Sequence, residues 1–174
     1  MIVTINGQRV DLRKLTRREF VQLTGAGAAA LTAAGLPVAS PAAQANPAYP
    51  MQEVASLSSL APGDAVGFNY PDENSPALLI RLTETATDGV GPDRSIVAYS
   101  ILCTHKGCPV SYKPEQRMLI CPCHWSTFDP ARSGSMVIGQ ASQALPRIEL
   151  GIEGDMVRAT GVVGLIYGRH TNIL

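Results

Sequence analysis

Six side chains in one stretch of the chain could hold a soft metal centre. Cys103, His105 and Cys108 lie in Cys103-Thr104-His105-Lys106-Gly107-Cys108-Pro109. Cys121, Cys123 and His124 lie in Cys121-Pro122-Cys123-His124-Trp125-Ser126-Thr127-Phe128-Asp129. Together they take up all four cysteines of the chain and two of its three histidines. Thiolates and imidazoles arriving as one Cys-x-His pair and one Cys-x-x-His pair suit zinc or an iron–sulfur centre. Two further cysteines remain, one on each stretch.

Three chemistries compete for this set. A structural Cys2His2 zinc site uses four ligands and leaves the matched extra cysteines without a purpose. A framework of disulfides leaves the histidines without one. A [2Fe–2S] centre in which two cysteines hold one iron and two histidines the other uses one thiol and one imidazole from each stretch. The remaining cysteines could then clip the stretches together, in a compartment that permits the bond.

The pair Cys-Thr-His-x-Gly-Cys and Cys-Pro-Cys-His-x-Ser resembles the two cluster-binding boxes of the Rieske family. The resemblance implies one [2Fe–2S] cluster with Cys103, His105, Cys121 and His124 as ligands. It also implies a Cys108–Cys123 disulfide, and Ser126 and Phe128 as cluster-tuning positions. High-potential members carry Ser-x-Tyr here, both hydroxyls donating to sulfur. This chain has Ser126 but Phe128 in the tyrosine's place, so one donor is missing and a lower potential is expected. Histidine is neutral where cysteinate is anionic, which itself raises the potential above that of all-thiolate clusters. Ligated imidazoles that reach solvent should make the potential fall with pH once the oxidised form deprotonates. Gly107 is expected to relieve crowding near the cluster, and Trp125 to shield it, face a partner or pack in the lobe. His170 receives no role.

The elements that must position these boxes read as strands. Gly and Pro number 16 and 13, and aromatics are 5%, a mix that favours short strands and tight turns. Ser95 to Leu102 is a continuous β-branched run that delivers the chain into Cys103. Ala65–Tyr70 and Ala77–Leu82 are further strands, and residues 83–94 form a long loop. Pro146–Ile152 and Met156–Val162 flank Glu153-Gly154-Asp155, which has the composition of a hairpin turn. Asn46–Ala55 is Pro-rich and reads as a linker or extended arm. No sustained helical period appears after residue 45. The expected fold is all-β: a Rieske-type antiparallel sandwich or barrel base (55–102 and 146–174) with an inserted cluster-binding lobe (103–145).

The N-terminus reads as an address. Arg9, Arg13, Lys14, Arg17 and Arg18 make a basic region, and Thr16-Arg17-Arg18-Glu19-Phe20-Val21 is a twin-arginine pattern. A weakly apolar run follows from Gly25 to Ala39, and Ala43-Gln44-Ala45 supplies a cleavage site. The run is too short and too rich in glycine to span a bilayer. Residues 1–45 are therefore expected to be a removed signal, leaving 46–174 in the periplasm with no membrane span. The twin-arginine route carries folded proteins, as a cofactor inserted in the cytoplasm requires. Beyond residue 45 there are 9 Lys+Arg against 12 Asp+Glu, a formal net charge of −3. Without a basic patch interleaved with aromatics, nucleic acid is not an expected partner.

Within the Rieske family the span from about Tyr49 to Leu174 resembles the small subunit of arsenite oxidase. The likeness lies in Gly89-Val90-Gly91-Pro92-Asp93, Ile96-Val97-Ala98-Tyr99-Ser100, Leu145-Pro146-Arg147 and Leu165-Ile166-Tyr167-Gly168-Arg169, beside the boxes. It implies a heterodimer with a large molybdopterin catalytic subunit that oxidises arsenite to arsenate. It also implies a c-type cytochrome or azurin as electron acceptor, and no catalytic residues in this chain. A cytochrome bc-type subunit or a stand-alone periplasmic carrier is the alternative. Arg147, Tyr167 and Arg169 are candidate interface residues.

Overall fold

Strand β6 (Ile96–Ser100) runs through the middle of the molecule, and all five of its residues are buried. A strand buried on both faces reads as a continuous apolar run instead of an alternation, which is why Ile96-Val97-Ala98-Tyr99 stood out in the sequence. Ile96 and Ala98 face one core, with Leu79, Ile148, Val157, Ala159 and Ile166. Val97 and Tyr99 face the other, with Ile80, Leu119, Phe128, Leu145, Cys103 and Cys121. The second core reaches under the metal-binding stretches, so the packing that holds the base also holds the boxes. Each fully buried Leu, Ile or Phe in it contributes about 1.5–3 kcal/mol relative to exposure.

The computed structural model describes residues 48–173 and two short strands, β1 (Ile2–Ile5) and β2 (Gln8–Asp11). The chain divides into two units, Met1–Asn46 and Pro47–Leu174. In the first, β1 and β2 pair antiparallel with Ile2 opposite Asp11. The basic-region reading did not anticipate this hairpin, although Ile2-Val3-Thr4-Ile5 has the β-branched composition strands favour. The twin-arginine pattern, the apolar run and the Ala43-Gln44-Ala45 site lie outside the described residues.

The second unit is all-β, as expected from its composition, with one short 3-10 turn at Leu57–Ser59. Its base is a six-stranded antiparallel sheet of β3 (Gln52–Ser56), β4 (Ala65–Asn69), β5 (Pro76–Arg81), β6, β11 (Arg147–Glu153) and β12 (Met156–Val163). The spatial order is β3-β12-β11-β6-β5-β4. A smaller antiparallel sheet of β7 (Ser111–Lys113), β8 (Met118–Ile120), β9 (Thr127–Asp129) and β10 (Ser135–Ile138) lies, in chain order, between β6 and β11. Strands β11 and β12 join through Gly154, whose φ of +60° suits the tight turn, with Glu153 opposite Met156.

The arm expected up to Ala55 is instead an edge strand: β3 pairs with β12, Val157 opposite Ala55. β12 is eight residues long, and its outer backbone groups need partners that a polar, unpatterned segment can supply. No helix among the described residues is long and apolar enough to cross a membrane.

Candidate metal centre at the meeting of two loops

The two boxes are folded alike. In the first, Gly107 N–H donates to Cys103 C=O at 2.8 Å and Cys103 N–H donates to Cys108 C=O at 2.9 Å. In the second, Trp125 N–H donates to Cys121 C=O at 3.0 Å and Cys121 N–H donates to Ser126 C=O at 2.9 Å. Each loop thus turns back on its first cysteine, four and then five residues on. Each turn is made by a left-handed residue at the fourth place, Gly107 at φ +74° and Trp125 at φ +60°. A non-glycine residue there costs about 1–2 kcal/mol, so the second loop holds Trp125 against a local preference. Trp125 is also 72% exposed, which rules out packing in the lobe.

The first loop leaves β6 of the base sheet and the second leaves β8 of the smaller sheet, so each sheet delivers one of them. Cys103 and Cys121 are free and buried, and both belong to the core beneath the loops. The His105 and His124 rings meet edge-on with centroids 4.7 Å apart. His124 is exposed and His105 half-buried. Cys108 and Cys123 form a disulfide that ties the loops. The sulfurs of Cys108, Cys121 and Cys123 lie within 4.8 Å of one another. Since the bridge takes two of them, Cys121 alone of the three keeps a thiol to offer.

Burial pushes the Cys103 thiol up, Cys121 beside it adds to the effect, and backbone hydrogen bonds from His105 and Lys106 pull the other way. A thiol so placed needs a cation to become thiolate. His105 Nδ1 is buried with no hydrogen-bond partner, and a buried orphan of that kind marks a place for an ion. Two buried thiols, two adjoining imidazoles and one orphaned ring nitrogen fit a mixed sulfur–nitrogen cluster. Cys103, His105, Cys121 and His124 are the residues that would hold it.

Around them the sequence reading needs two amendments. Gly107 relieves crowding against a different neighbour: a Cβ there would lie 2.6 Å from Cδ1 and Cε1 of Tyr167. Arg169 is tied inward, its guanidinium donating to both oxygens of Asp72 at 2.6 and 2.7 Å, and it is not a free interface residue. The Asp72 carboxyl is held below its ordinary value, first by that bond. Asn172 completes the brace, accepting from Ile166 N–H at 2.9 Å and donating to Gly164 C=O at 2.7 Å. The C-terminal turn thereby presses Tyr167 onto the first box. No motif announced Asn172. Arg147 meets Asp88 at 3.6 Å. Ser126 and Phe128 are both fully buried beneath the second loop.

A sheet base carrying a lobe with two like loops, clipped by a disulfide around thiols and imidazoles, defines a class of small iron–sulfur electron carriers. The comparisons agree. Residues 50–149 match the model of the Rieske [2Fe-2S] domain, and the chain belongs to that family. It is 40% identical over 158 residues to the iodate reductase subunit IdrB of Pseudomonas sp. (strain SCT), covering 88% of this chain and 82% of that protein. It is 39% identical over 163 residues to the IdrB of Denitromonas iodatirespirans, covering 91% and 86%. Among solved structures, the soluble domain of Rieske protein II (soxF) from Sulfolobus acidocaldarius superposes with a TM-score of 0.57 at 23% identity. That match covers 66% of this chain and 78% of the other, and shares the fold. The cofactor is one [2Fe–2S] cluster, and the chain is an electron-transfer protein of the oxidoreductase type.

Proposed function

We propose that this chain is the exported electron-transfer subunit of a molybdenum-dependent arsenite oxidase. The observation that carries the electron-transfer part is the convergence of Cys103, His105, Cys121 and His124 from two loops of the same shape. When bound there, a [2Fe–2S] cluster supplies one-electron redox chemistry in a range near −150 to +300 mV. The chain's own residues do the rest. The four ligands grip from both loops, so neither can move alone. The disulfide holds the loops in register. Phe128, Leu119 and Val110 are buried in the same core as the two cysteines, and exclude water behind them. Ser126 offers the single hydroxyl donor. His124, exposed at the tip, lies where a partner could approach.

The substrate part rests on the resemblance of the outer stretches to the arsenite oxidase small subunit. In this reading a large molybdopterin subunit oxidises arsenite, and electrons leave through this chain to a c-type cytochrome or azurin. The twin-arginine pattern supports export of the folded, loaded protein to the periplasm. A second reading is favoured by the names of the relatives at 40% and 39% identity. There the same subunit feeds electrons inward to an iodate-reducing partner. Purification of the native complex separates the two. A large molybdenum subunit with arsenite-dependent reduction of cytochrome c supports the first, iodate-dependent oxidation of the reduced complex supports the second, and a cytochrome b partner defeats both.

A further inference from the structure

Ser126 is held by more than its own loop. Its Oγ accepts the backbone N–H of Gln140 at 3.1 Å and of Ala141 at 3.0 Å. A hydroxyl has two lone pairs and one proton. With both lone pairs engaged by these amides, the proton is left to donate elsewhere, and its direction is fixed. Ser126 is fully buried, so water does not compete for it. Among the described residues no protein acceptor bonds that proton.

The turn that supplies the amides is built for close approach. Gly139 has a φ of +121°. A Cβ there would lie 2.4 Å from Ser126 Cα and 2.9 Å from its Oγ. Only glycine lets the chain leave β10 and fold its next two amides over the serine. Ala141 is buried in the same core as Cys103 and Cys121, which pins the far end of the turn.

We propose that the turn from Gly139 to Ala141 aims the Ser126 hydroxyl at the cluster, making Gly139, Gln140 and Ala141 positioning residues for the redox centre. Two amides donating to one oxygen also polarise its O–H and strengthen the bond it makes in turn. A stronger donor to the cluster's sulfur favours the reduced, more negative state. The turn therefore raises the midpoint potential without touching the cluster. This inference rests on the reading that Ser126 faces the cluster.

The test uses the cluster-loaded full chain. Gln140→Pro and Ala141→Pro each delete one amide donor, and Ser126→Ala deletes the hydroxyl. Midpoints come from spectroelectrochemical titration, and hydrogen–deuterium exchange reads the amides of 140 and 141. Ser126→Ala lowers the midpoint and speeds exchange at both amides. Each proline variant lowers the midpoint by less than Ser126→Ala does, and adds nothing further in the Ser126→Ala background. A proline variant that leaves the midpoint unchanged, or shifts it equally with and without the hydroxyl, overturns the proposal. An unmoved midpoint in Ser126→Ala alone refutes the placement of Ser126, and the proposal falls with it. Should the proline variants fail to take up a cluster, exchange decides: amides no faster in Ser126→Ala than in the parent overturn the inference.

Discussion

Gly107→Ala should destabilise the protein by about 1–4.6 kcal/mol, and Tyr167 should be the reason for much of it. The φ of +74° puts the new side chain in the left-handed region, at about 1–2 kcal/mol. The new Cβ would sit 2.6 Å from two ring atoms of Tyr167, where carbon pairs prefer about 3.5–4.0 Å. Overpacking of that kind costs about 1–3 kcal/mol. The lower freedom of alanine in the unfolded chain returns about 0.4–1 kcal/mol. The ring cannot simply swing away, because Arg169, Asp72 and Asn172 hold its turn. The assay is urea unfolding of the parent, Gly107→Ala, Tyr167→Ala and the double variant. In the cycle, the double variant should recover about 1–3 kcal/mol relative to the sum of the singles. A coupling below about 0.5 kcal/mol would refute the idea that the C-terminal turn bears on the first box.

Other outcomes follow from the same geometry. Asp72 has its folded-state pKa lowered by Arg169, so its contribution is complete above the ordinary carboxylate value of about 3.9 and is lost as pH falls through the depressed folded value. Asp72→Asn should therefore cost stability at neutral pH and flatten the acid limb of a urea-midpoint profile; a parallel limb would contradict the pairing. Cys108→Ser with Cys123→Ser removes a bridge spanning 15 positions, worth about 3 kcal/mol, and should lower the urea midpoint and speed cluster loss. Phe128→Tyr places a hydroxyl in the core that holds both buried thiols and should move the midpoint potential upward, read by spectroelectrochemistry. Under the proposed export, mass spectrometry of the purified native protein should find an N-terminus at residue 46; one upstream of residue 40 would count against a cleaved signal.

The site was legible where chemistry restricts residue type. Cysteine and histidine are the usual protein ligands of zinc and iron–sulfur centres, so their clustering marked the site, and the resemblance to the two boxes assigned it. Strand β6 was legible because burial on both faces demands a run of apolar residues. What stayed hidden depends on backbone conformation and on contacts far apart in sequence. Nothing in Cys121-Pro122-Cys123-His124-Trp125 announces that Trp125 takes the left-handed turn that Gly107 takes in the first box. Gly107 could be read as a glycine near a cluster, but not as the seat of Tyr167, 60 residues away. Arg169 resembled a surface charge until Asp72 was seen opposite it. β3 carries little β-branched residue and gains its strand character from β12. Such elements are set by tertiary pairing, which overrides local propensity.

The central claim is a [2Fe–2S] cluster held by Cys103 and Cys121 on one iron and by His105 and His124 on the other. Electron paramagnetic resonance of the dithionite-reduced protein tests it most directly. The account predicts an anisotropic signal whose average g lies well below that of all-thiolate [2Fe–2S] centres, lost in His105→Ala and His124→Ala. A colourless protein without a signal, or a signal unchanged when both histidines are replaced, would contradict it.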